Sequence, residues 1–266
     1  VDGYFMSTDG EFLIVTELND PFGISPLKYG SSEINPDPVV ALQKLRNEVY
    51  AINRYTIEIF DNVGGTGFPF ARVDGAQIQK GAVGARSCCE FMTALAFVGG
   101  GFNEPNAVWA GTSGTAAKLS TREIDDILRS YPDDVLAKIV LEGRADRGHE
   151  FLYLHLPDQT LVYDGAASEV LQQPVWFILK SGVAQGGYQA RGMVWCYGRW
   201  NVGNPFGYEF GYLDDAIGSH YGALTLWEFS TPVVYNDGRG VIIHDLELIA
   251  LTGDIALGDD PMIGAD

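Results

Sequence analysis

The sequence predicts an all-β protein of the β-propeller class with a short helical insertion. Two-strand units rich in apolar and aromatic residues recur at a spacing of about 40–55 residues, which is typical of propeller blades. The 266 residues include 33 glycines, as expected for a chain with many tight turns, and 46% of them are hydrophobic, enough for a large core. We therefore predict about five to six blades of antiparallel strands.

Five segments share the outline of a strand, a turn and a second strand. They are residues 4–15, 49–60, 95–110, 151–164 and 193–213. In the first segment, Asp9-Gly10 predicts a type I′ turn, whose two central positions both have positive φ. In the second, Ile57 and Ile59 alternate with polar neighbours, which predicts a half-buried strand.

The later segments follow the same outline with different turns. Gly99-Gly100-Gly101 is interpreted as the break in the third, Pro157-Asp158 as the turn of the fourth, and residues 198–207 as a long turn in the fifth. Residues 68–72 and 175–180 are predicted to be outer strands of four-stranded blades. A blade with two apolar faces is not stable alone, so neighbouring blades must stack around an axis. A β-sandwich is the alternative.

The segment 120–128 breaks this pattern and predicts a short helix between the third and fourth blades. Ser120 or Thr121 is expected to cap it, and Pro132 ends it. Its apolar residues fall on one helical face. They are Ile124, Ile127 and Leu128. A second helical turn is predicted after Asp133-Asp134.

Two stretches are rich in turn-forming residues. Residues 19–38 predict an irregular connection, and residues 253–266, rich in Gly and Asp, predict a tail or linker. The predicted domains are therefore a β-propeller over 1–252 and a tail over 253–266, as a fragment of a longer chain.

The composition limits the partners of the chain. With 35 acidic and 17 basic residues, the net charge of −18 argues against tight binding of nucleic acid and against an anionic membrane surface. No apolar run reaches the ~18 residues of a membrane helix. The three cysteines, Cys88, Cys89 and Cys196, have no disulfide or zinc spacing, and are expected to be reduced thiols, as in a cytosol.

No catalytic, cofactor-binding or metal-binding residue is predicted. The four histidines, His149, His155, His220 and His244, lack metal-like spacing, and no phosphate loop or nucleophile elbow occurs. His155 is expected to be a structural histidine. His244-Asp245 is interpreted as a strand exit rather than as a base and its orienting partner.

Acidic pairs and aromatic residues leave an alternative function open. The acidic pairs are Asp125-Asp126, Asp133-Asp134, Asp214-Asp215 and Asp259-Asp260. Adjacent carboxylates point in different directions, so helix capping and solvated loops explain them better than glycosidase chemistry. The aromatic residues Trp195, Trp200, Tyr208 and Tyr212 are expected to pack in a core. The alternative is a glycan-binding or glycoside-cleaving β-propeller.

An ordered series of segments resembles a known family. Residues 123–131, 151–157 and 161–164 are similar to the packaged-DNA stabilisation, tail hub or nozzle proteins of short-tailed phages, the podovirus tail accessory factors. Upstream, residues 56–60 and 78–81 resemble a blade of the same family. The resemblance also includes Trp176 and residues 179–182. No single motif is specific, and the order of the segments carries the resemblance.

The resemblance implies a structural protein of the phage tail and not an enzyme. It implies a homo-hexameric ring in the virion, made in the bacterial host cytoplasm, although this fragment alone is also compatible with a monomer. The implied partners are the portal, its adaptor and a tail needle or spike. DNA is expected to pass nearby without tight binding, and acidic residues facing a channel would repel its phosphates.

Overall fold

The computed structural model describes residues 1–32, 35, 37–226, 228–230 and 245. The chain divides into two units, Val1–Ile178 and Leu179–Asp266. Antiparallel strands are the main regular structure of both units, which confirms the all-β prediction. The domain boundary between residues 252 and 253 stays a prediction, because it lies outside the described residues.

The first unit contains four successive antiparallel sheets, each built from consecutive strands. The first sheet contains β1 (Met6–Thr8), β2 (Phe12–Glu17) and β3 (Asp20–Ser31); the second contains β4 (Val39–Leu45), β5 (Glu48–Asn53), β6 (Ile57–Asn62) and β7 (Phe70–Arg72). The third contains β8 (Gly81–Ala82), β9 (Cys88–Phe91), β10 (Ala94–Gly100), β11 (Ala107–Thr112) and β12 (Thr115–Lys118). The fourth contains β13 (Val140–Asp146), β14 (His149–His155), β15 (Thr160–Asp164) and β16 (Trp176–Ser181). The last residues of β16 belong to the second unit and pair with β17 (Gly186–Gly187).

Consecutive sheets of the first unit pack face to face through three buried clusters. The alternation of side chains along β10 shows how one sheet contributes to two clusters. Leu95 and Phe97 belong to the cluster shared with the second sheet, whereas Ala96 and Val98 belong to the cluster shared with the fourth. Because successive side chains of a strand point to opposite faces, the third sheet is apolar on both sides. This is the arrangement that stacked blades require.

The strand pairs of three predicted hairpins are confirmed. Strands β5 and β6, β10 and β11, and β14 and β15 pair antiparallel as expected. The predicted outer strands also form, as β7 and β16. The uniform count of four strands per blade is wrong, since the first sheet has three strands and the third has five.

The half-buried character predicted for β6 is wrong. Ile57, Glu58, Ile59 and Phe60 are all buried. The isoleucines join the cluster with the third sheet, and Phe60 joins the cluster with the first. A sheet covered on both sides buries even a polar residue that the alternation would assign to solvent.

The glycine triplet of the third segment does not form the turn. Gly99 and Gly100 belong to β10 and pair with Ala82 and Gly81 of β8. A Cβ atom on Gly99 would lie 1.9 Å from the carbonyl oxygen of Gly81, so only glycine allows these two strands to approach.

The first hairpin forms, but not with a type I′ turn. Met6 pairs with Val15 and Thr8 with Leu13, and only Gly10 of the turn has positive φ. The Asp9 carboxylate instead accepts hydrogen bonds from the backbone N–H groups of Glu11 and Phe12, at 3.0 and 2.8 Å. Aspartate can close a turn through its side chain in this way, without the positive φ at both central positions that a type I′ turn needs.

The irregular connection predicted after residue 19 is wrong. Residues 20–31 form β3, the edge strand of the first sheet, which contains Pro21 and Pro26 and pairs with β2 through register shifts. Proline is tolerated on an edge strand because the lost N–H faces no neighbour there. The turn-forming residues therefore mark an irregular edge and not a loop.

Three helices occur in the described residues. They are α1 (Arg122–Arg129), α2 (Asp133–Leu136) and α3 (Gly165–Leu171). The first two confirm the predicted insertion, and Ile124, Leu128 and Leu136 bury their side chains in the cluster of the third and fourth sheets. The predicted side-chain cap is wrong, because Thr121 occupies the N-cap position without a capping hydrogen bond. The third helix was not predicted.

The second unit contains the sheet of β18 (Arg191–Cys196), β19 (Arg199–Gly203) and β20 (Phe210–Tyr212), followed by the pair β21 (Ser219–His220) and β22 (Ala223–Leu224). The predicted pairing of residues 193–197 with residues 208–213 is wrong, because β19 lies between them. Tyr197 and Gly198 form the tight turn, both with positive φ. The described part of the chain contains no helix long and apolar enough to cross a membrane.

Substitution of Gly99 by alanine tests the close approach of β8 and β10. We expect Gly99→Ala to lower the free energy of unfolding by about 2–3 kcal/mol, because the new methyl group overlaps the Gly81 carbonyl. The matched control is Gly67→Ala, since nothing lies within 4 Å of a Cβ atom there. That change is expected to alter stability by less than about 0.5 kcal/mol. Urea denaturation measures both, and equal effects would contradict the assignment.

Candidate functional site

The described histidines are not brought together. His155 is buried in the fourth sheet, with Nδ1 3.1 Å from Thr160 Oγ1 and Nε2 3.2 Å from Glu142 Oε2. Both ring nitrogens are thereby engaged within that sheet, which fits the structural role expected for this residue. His220 lies in the second unit, where its Nδ1 is 2.8 Å from Ser181 Oγ, and His244 lies outside the described residues.

His149 contributes to a helix-capping arrangement. Its Nδ1 atom lies 2.6 Å from Asp164 Oδ2, and its ring stacks on Phe151. The other carboxylate oxygen of Asp164 accepts a hydrogen bond of 3.0 Å from Ala167 N and so caps α3. Sequence reasoning missed this role of Asp164 because it treated the residue only as the end of a strand. An aspartate directly before Gly165 and two alanines was the available N-cap signal.

The adjacent acidic pairs separate to different partners. Asp125 contacts Lys118 and accepts a 2.6 Å hydrogen bond from Ser120 Oγ, whereas Asp126 pairs with Arg129. Neighbouring carboxylates on α1 thus point apart and do not face each other across a shared cleft.

The other pairs behave similarly where they are described. Asp133 accepts a hydrogen bond from Asn106 Nδ2 at 3.2 Å and lies 3.7 Å from Arg54. Asp214 accepts a hydrogen bond from Ala216 N. The Asp259-Asp260 pair lies outside the described residues. No group of three potential metal ligands occurs among the residues that the structure describes.

One cleft contains a fully buried carboxylate that the sequence did not reveal. Glu58, with 0% exposure, lines a cleft of about 330 Å³ together with Arg72, Asp74 and Gln77. Arg72 Nη1 lies 3.7 Å from Glu58 Oε2. A buried carboxylate is tolerated when a cation offsets its charge, and here the cation comes from the adjacent strand β7. The ion pair explains how β6 accommodates an acid between two apolar layers.

The aromatic residues expected in a core are largely exposed. Trp195, Tyr208 and Tyr212 have 58%, 107% and 48% of their surface exposed, and Trp200 is half-buried. Tyr208 lies in the loop before β20 and not in a strand. The core prediction failed because strand position fixes which face a side chain occupies, but not whether a further layer covers that face.

Exposed carboxylates dominate the electrostatics. Among the described acidic residues only Glu58 and Asp164 are buried. Hydrogen bonds from Asn62 and Asn47 lower the pKa of Asp2, and hydrogen bonds from the N–H groups of Phe12 and Glu11 lower the pKa of Asp9.

The same effect occurs elsewhere on the first unit. Hydrogen bonds from Lys80 and Gly101 N lower the pKa of Glu104. Hydrogen bonds from its own backbone N–H and from Thr121 lower the pKa of Glu123. These surface carboxylates therefore keep their negative charge to lower pH than an unassisted carboxylate. The result is a persistently anionic surface.

Comparison with known proteins identifies the family. A family model described as "Bacteriophage P22 Gp10, beta-propeller" matches residues 1–218. The chain belongs to this family. Its propeller description agrees with the stacked sheets of the first unit and supports the predicted fold class.

A curated relative in this family is the tail hub protein gp10 of Salmonella phage P22. It is 27% identical over 269 residues, which cover 98% of this chain and 56% of that protein. The chain thus spans a little over half the length of its relative. Membership of the tail hub family supports a structural role in the phage tail and is consistent with a protein that is not an enzyme.

A solved structure of an engineered GH43 glycoside hydrolase shows a distant likeness. It is 11% identical with a TM-score of 0.37, over 75% of this chain and 44% of the hydrolase. A likeness at this level carries no functional weight.

Thiol titration tests whether Cys88 and Cys89 of this chain are buried. Cys88 and Cys89 are free and lie on β9, where burial raises the pKa of both thiols, that of Cys88 to about 12. The thiolate is the reactive species, so we expect neither Cys88 nor Cys89 of the native protein to react with a disulfide reagent at pH 8 within minutes. In the denatured protein all three cysteine thiols should react. Cys88→Ser and Cys89→Ser variants assign any fast-reacting group. Rapid labelling of Cys88 in the native protein would contradict its burial.

Proposed function

We propose that this protein forms part of the wall of the phage tail channel, extends the portal channel and helps to stabilise packaged DNA. In this role it links the head–tail junction to distal tail parts. The proposed partners are the portal, its adaptor and a tail needle or spike, within a homo-hexameric ring of the virion. Synthesis in the host cytoplasm and a propeller domain reaching residue 252 are parts of the same proposal.

The excess of exposed carboxylates is the observation that carries the proposal. The net charge is −18, and among the described acidic residues only Glu58 and Asp164 are buried, so the surface repels the phosphates of DNA. Tight phosphate binding requires clustered Lys and Arg that displace counterions. A wall that lacks such clusters leaves the DNA hydrated and free to slide. The family assignment supports a location where this property matters.

Association with portal rings tests the location. We expect the full-length protein, mixed with portal and adaptor rings, to add a ring of density below the adaptor in electron micrographs. The matched control is a mixture in which the adaptor is omitted, so that no ring can form below it. Rings that stay unchanged in the complete mixture would overturn the proposed role.

Charge reversal tests the repulsion of DNA. We expect a variant with Asp74→Lys, Asp134→Lys and Glu169→Lys, three exposed positions, to bind double-stranded DNA at low salt, with binding that weakens as salt rises. The control variant carries Asn or Gln at the same positions. Gel retardation measures binding.

The same variants test the functional consequence in phage particles. We expect genome ejection to slow with the lysine variant and to stay near the wild-type rate with the neutral variant. Ejection that is equally fast in all three would contradict a role of acidic repulsion in DNA passage.

A further inference from the structure

The chain contains five Asp-Gly pairs. In such a pair the backbone nitrogen of glycine can attack the aspartate side chain, because glycine has no Cβ atom to shield that nitrogen or to restrict the backbone. The reaction converts aspartate to isoaspartate without an enzyme. Four of the pairs lie in the described residues, at Asp2, Asp9, Asp74 and Asp164, and the fifth, at Asp237, lies outside them.

The chemistry defines what a reactive Asp-Gly pair needs. The glycine nitrogen forms a bond to Cγ of the neutral carboxylic acid, the bond from Cγ to the hydroxyl breaks, and the hydroxyl leaves with the N–H proton as water. Water then opens the resulting five-membered succinimide. Breaking the bond between nitrogen and Cγ restores aspartate, whereas breaking the other ring C–N bond leaves isoaspartate, whose main chain runs through Cβ. A reactive pair therefore needs a free carboxyl group, a free glycine N–H and space for the ring.

The carboxylate of Asp2 is held by two amide side chains. It accepts hydrogen bonds of 3.2 Å from Asn47 Nδ2 and 2.9 Å from Asn62 Nδ2. These bonds stabilise the charged form and lower the pKa of Asp2, so less of the neutral acid is present for ring closure. They also oppose the rotation that would bring Cγ to the glycine nitrogen.

The pairs at Asp9 and Asp164 are held in similar ways. The Asp9 carboxylate accepts the two backbone hydrogen bonds of the first hairpin turn, and the N–H of Gly10 donates a 3.0 Å hydrogen bond to Thr8 Oγ1. Both reacting groups of that pair are thus engaged. Asp164 is buried, and its carboxylate is occupied by the contacts that cap α3. Three of the four described pairs therefore lack a free carboxyl group.

The pair at Asp74 meets all three requirements. Asp74 and Gly75 are exposed and occupy the centre of a turn that a 3.3 Å hydrogen bond from Ala76 N to Val73 O closes. No described residue donates a hydrogen bond to the Asp74 carboxylate or accepts one from the N–H of Gly75. Gly75 has a φ of +77°, and nothing lies within 4 Å of a Cβ atom placed on it, so the ring has space to form.

We propose that Asp74 is the position at which the folded protein forms isoaspartate. The inference does not depend on the proposed function. In a tail protein, which is not replaced once the particle has assembled, the product accumulates with storage.

The modification would alter the main chain between two fixed points. Val73 N donates a 2.8 Å hydrogen bond to Ile59 O, and Ile57 and Ile78 exchange two backbone hydrogen bonds of 2.9 and 3.0 Å. Both ends of the segment 73–78 are thus anchored on β6. Isoaspartate adds one carbon atom to the main chain between these anchors. It must therefore distort the turn, which lines the cleft beside Glu58.

Peptide mapping of aged protein tests the proposal. The folded chain is incubated at mildly acidic pH in water that contains heavy oxygen, and each opening of a succinimide then adds one heavy oxygen atom. Trypsin cuts after Arg72 and Lys80 and releases residues 73–80, whose isoaspartate and aspartate forms separate by reversed-phase chromatography. We expect at least about fivefold more labelled isoaspartate at Asp74 than at each of the other three described pairs.

The denatured protein and one variant are the controls. In urea all four pairs lose their hydrogen bonds, so we expect them to convert at similar rates. Asp74→Glu retains the charge but would have to close a six-membered ring. We expect this variant to form no isoaspartate within residues 73–80 of the folded protein.

A second variant tests whether hydrogen bonds protect the other pairs. Asn47→Ala combined with Asn62→Ala removes both donors to Asp2. We expect isoaspartate to form at Asp2 at least about fivefold faster than in the wild type, with an unchanged rate at Asp74. Circular dichroism and the urea midpoint show whether the variant is folded.

Three results would overturn the proposal. They are native protein without isoaspartate at Asp74, equal formation at the four pairs in the native and the denatured protein, and isoaspartate at Asp74 that carries no heavy oxygen. The second result would show that sequence alone sets the rates. The third would exclude the succinimide route.

Discussion

The two-sided burial of the middle sheets is the constraint on which the rest of the first unit depends. In β5 and β10 alternate side chains enter different clusters, so each sheet is a shared wall between two cores. Neither middle sheet can therefore be removed without uncovering the apolar faces of both its neighbours. The same constraint buries Glu58 in β6, where the charge of Arg72, 3.7 Å away on β7, offsets that of the carboxylate.

The sequence was informative where strand pairs are local and strongly apolar. The strand pairs β5–β6, β10–β11 and β14–β15 could be predicted from their apolar pattern, and the end of α1 from Pro132. Two of the failures share one cause. The burial of Glu58 and the exposure of Tyr212 both depend on whether a second layer lies against a face. Periodicity along one strand carries no information about that layer.

The sequence predicted the acidic character of the protein surface but not the position of individual charges. Composition alone gave the repulsion of nucleic acid, because the excess of acids over bases does not depend on the fold. The structure adds that, among the described acidic residues, only Glu58 and Asp164 are buried. It also adds the local hydrogen bonds that lower the pKa of Asp2, Asp9, Glu104 and Glu123, so that these carboxylates keep their charge to lower pH.

The prolines of β3 have a further consequence. An exposed edge strand is normally a template on which another molecule extends the sheet, and unlimited addition of this kind leads to amyloid-like aggregates. Pro21 and Pro26 remove two backbone donors from this edge, and its register shifts distort the remaining ladder. The strand can therefore display apolar side chains to solvent while its backbone resists indiscriminate polymerisation.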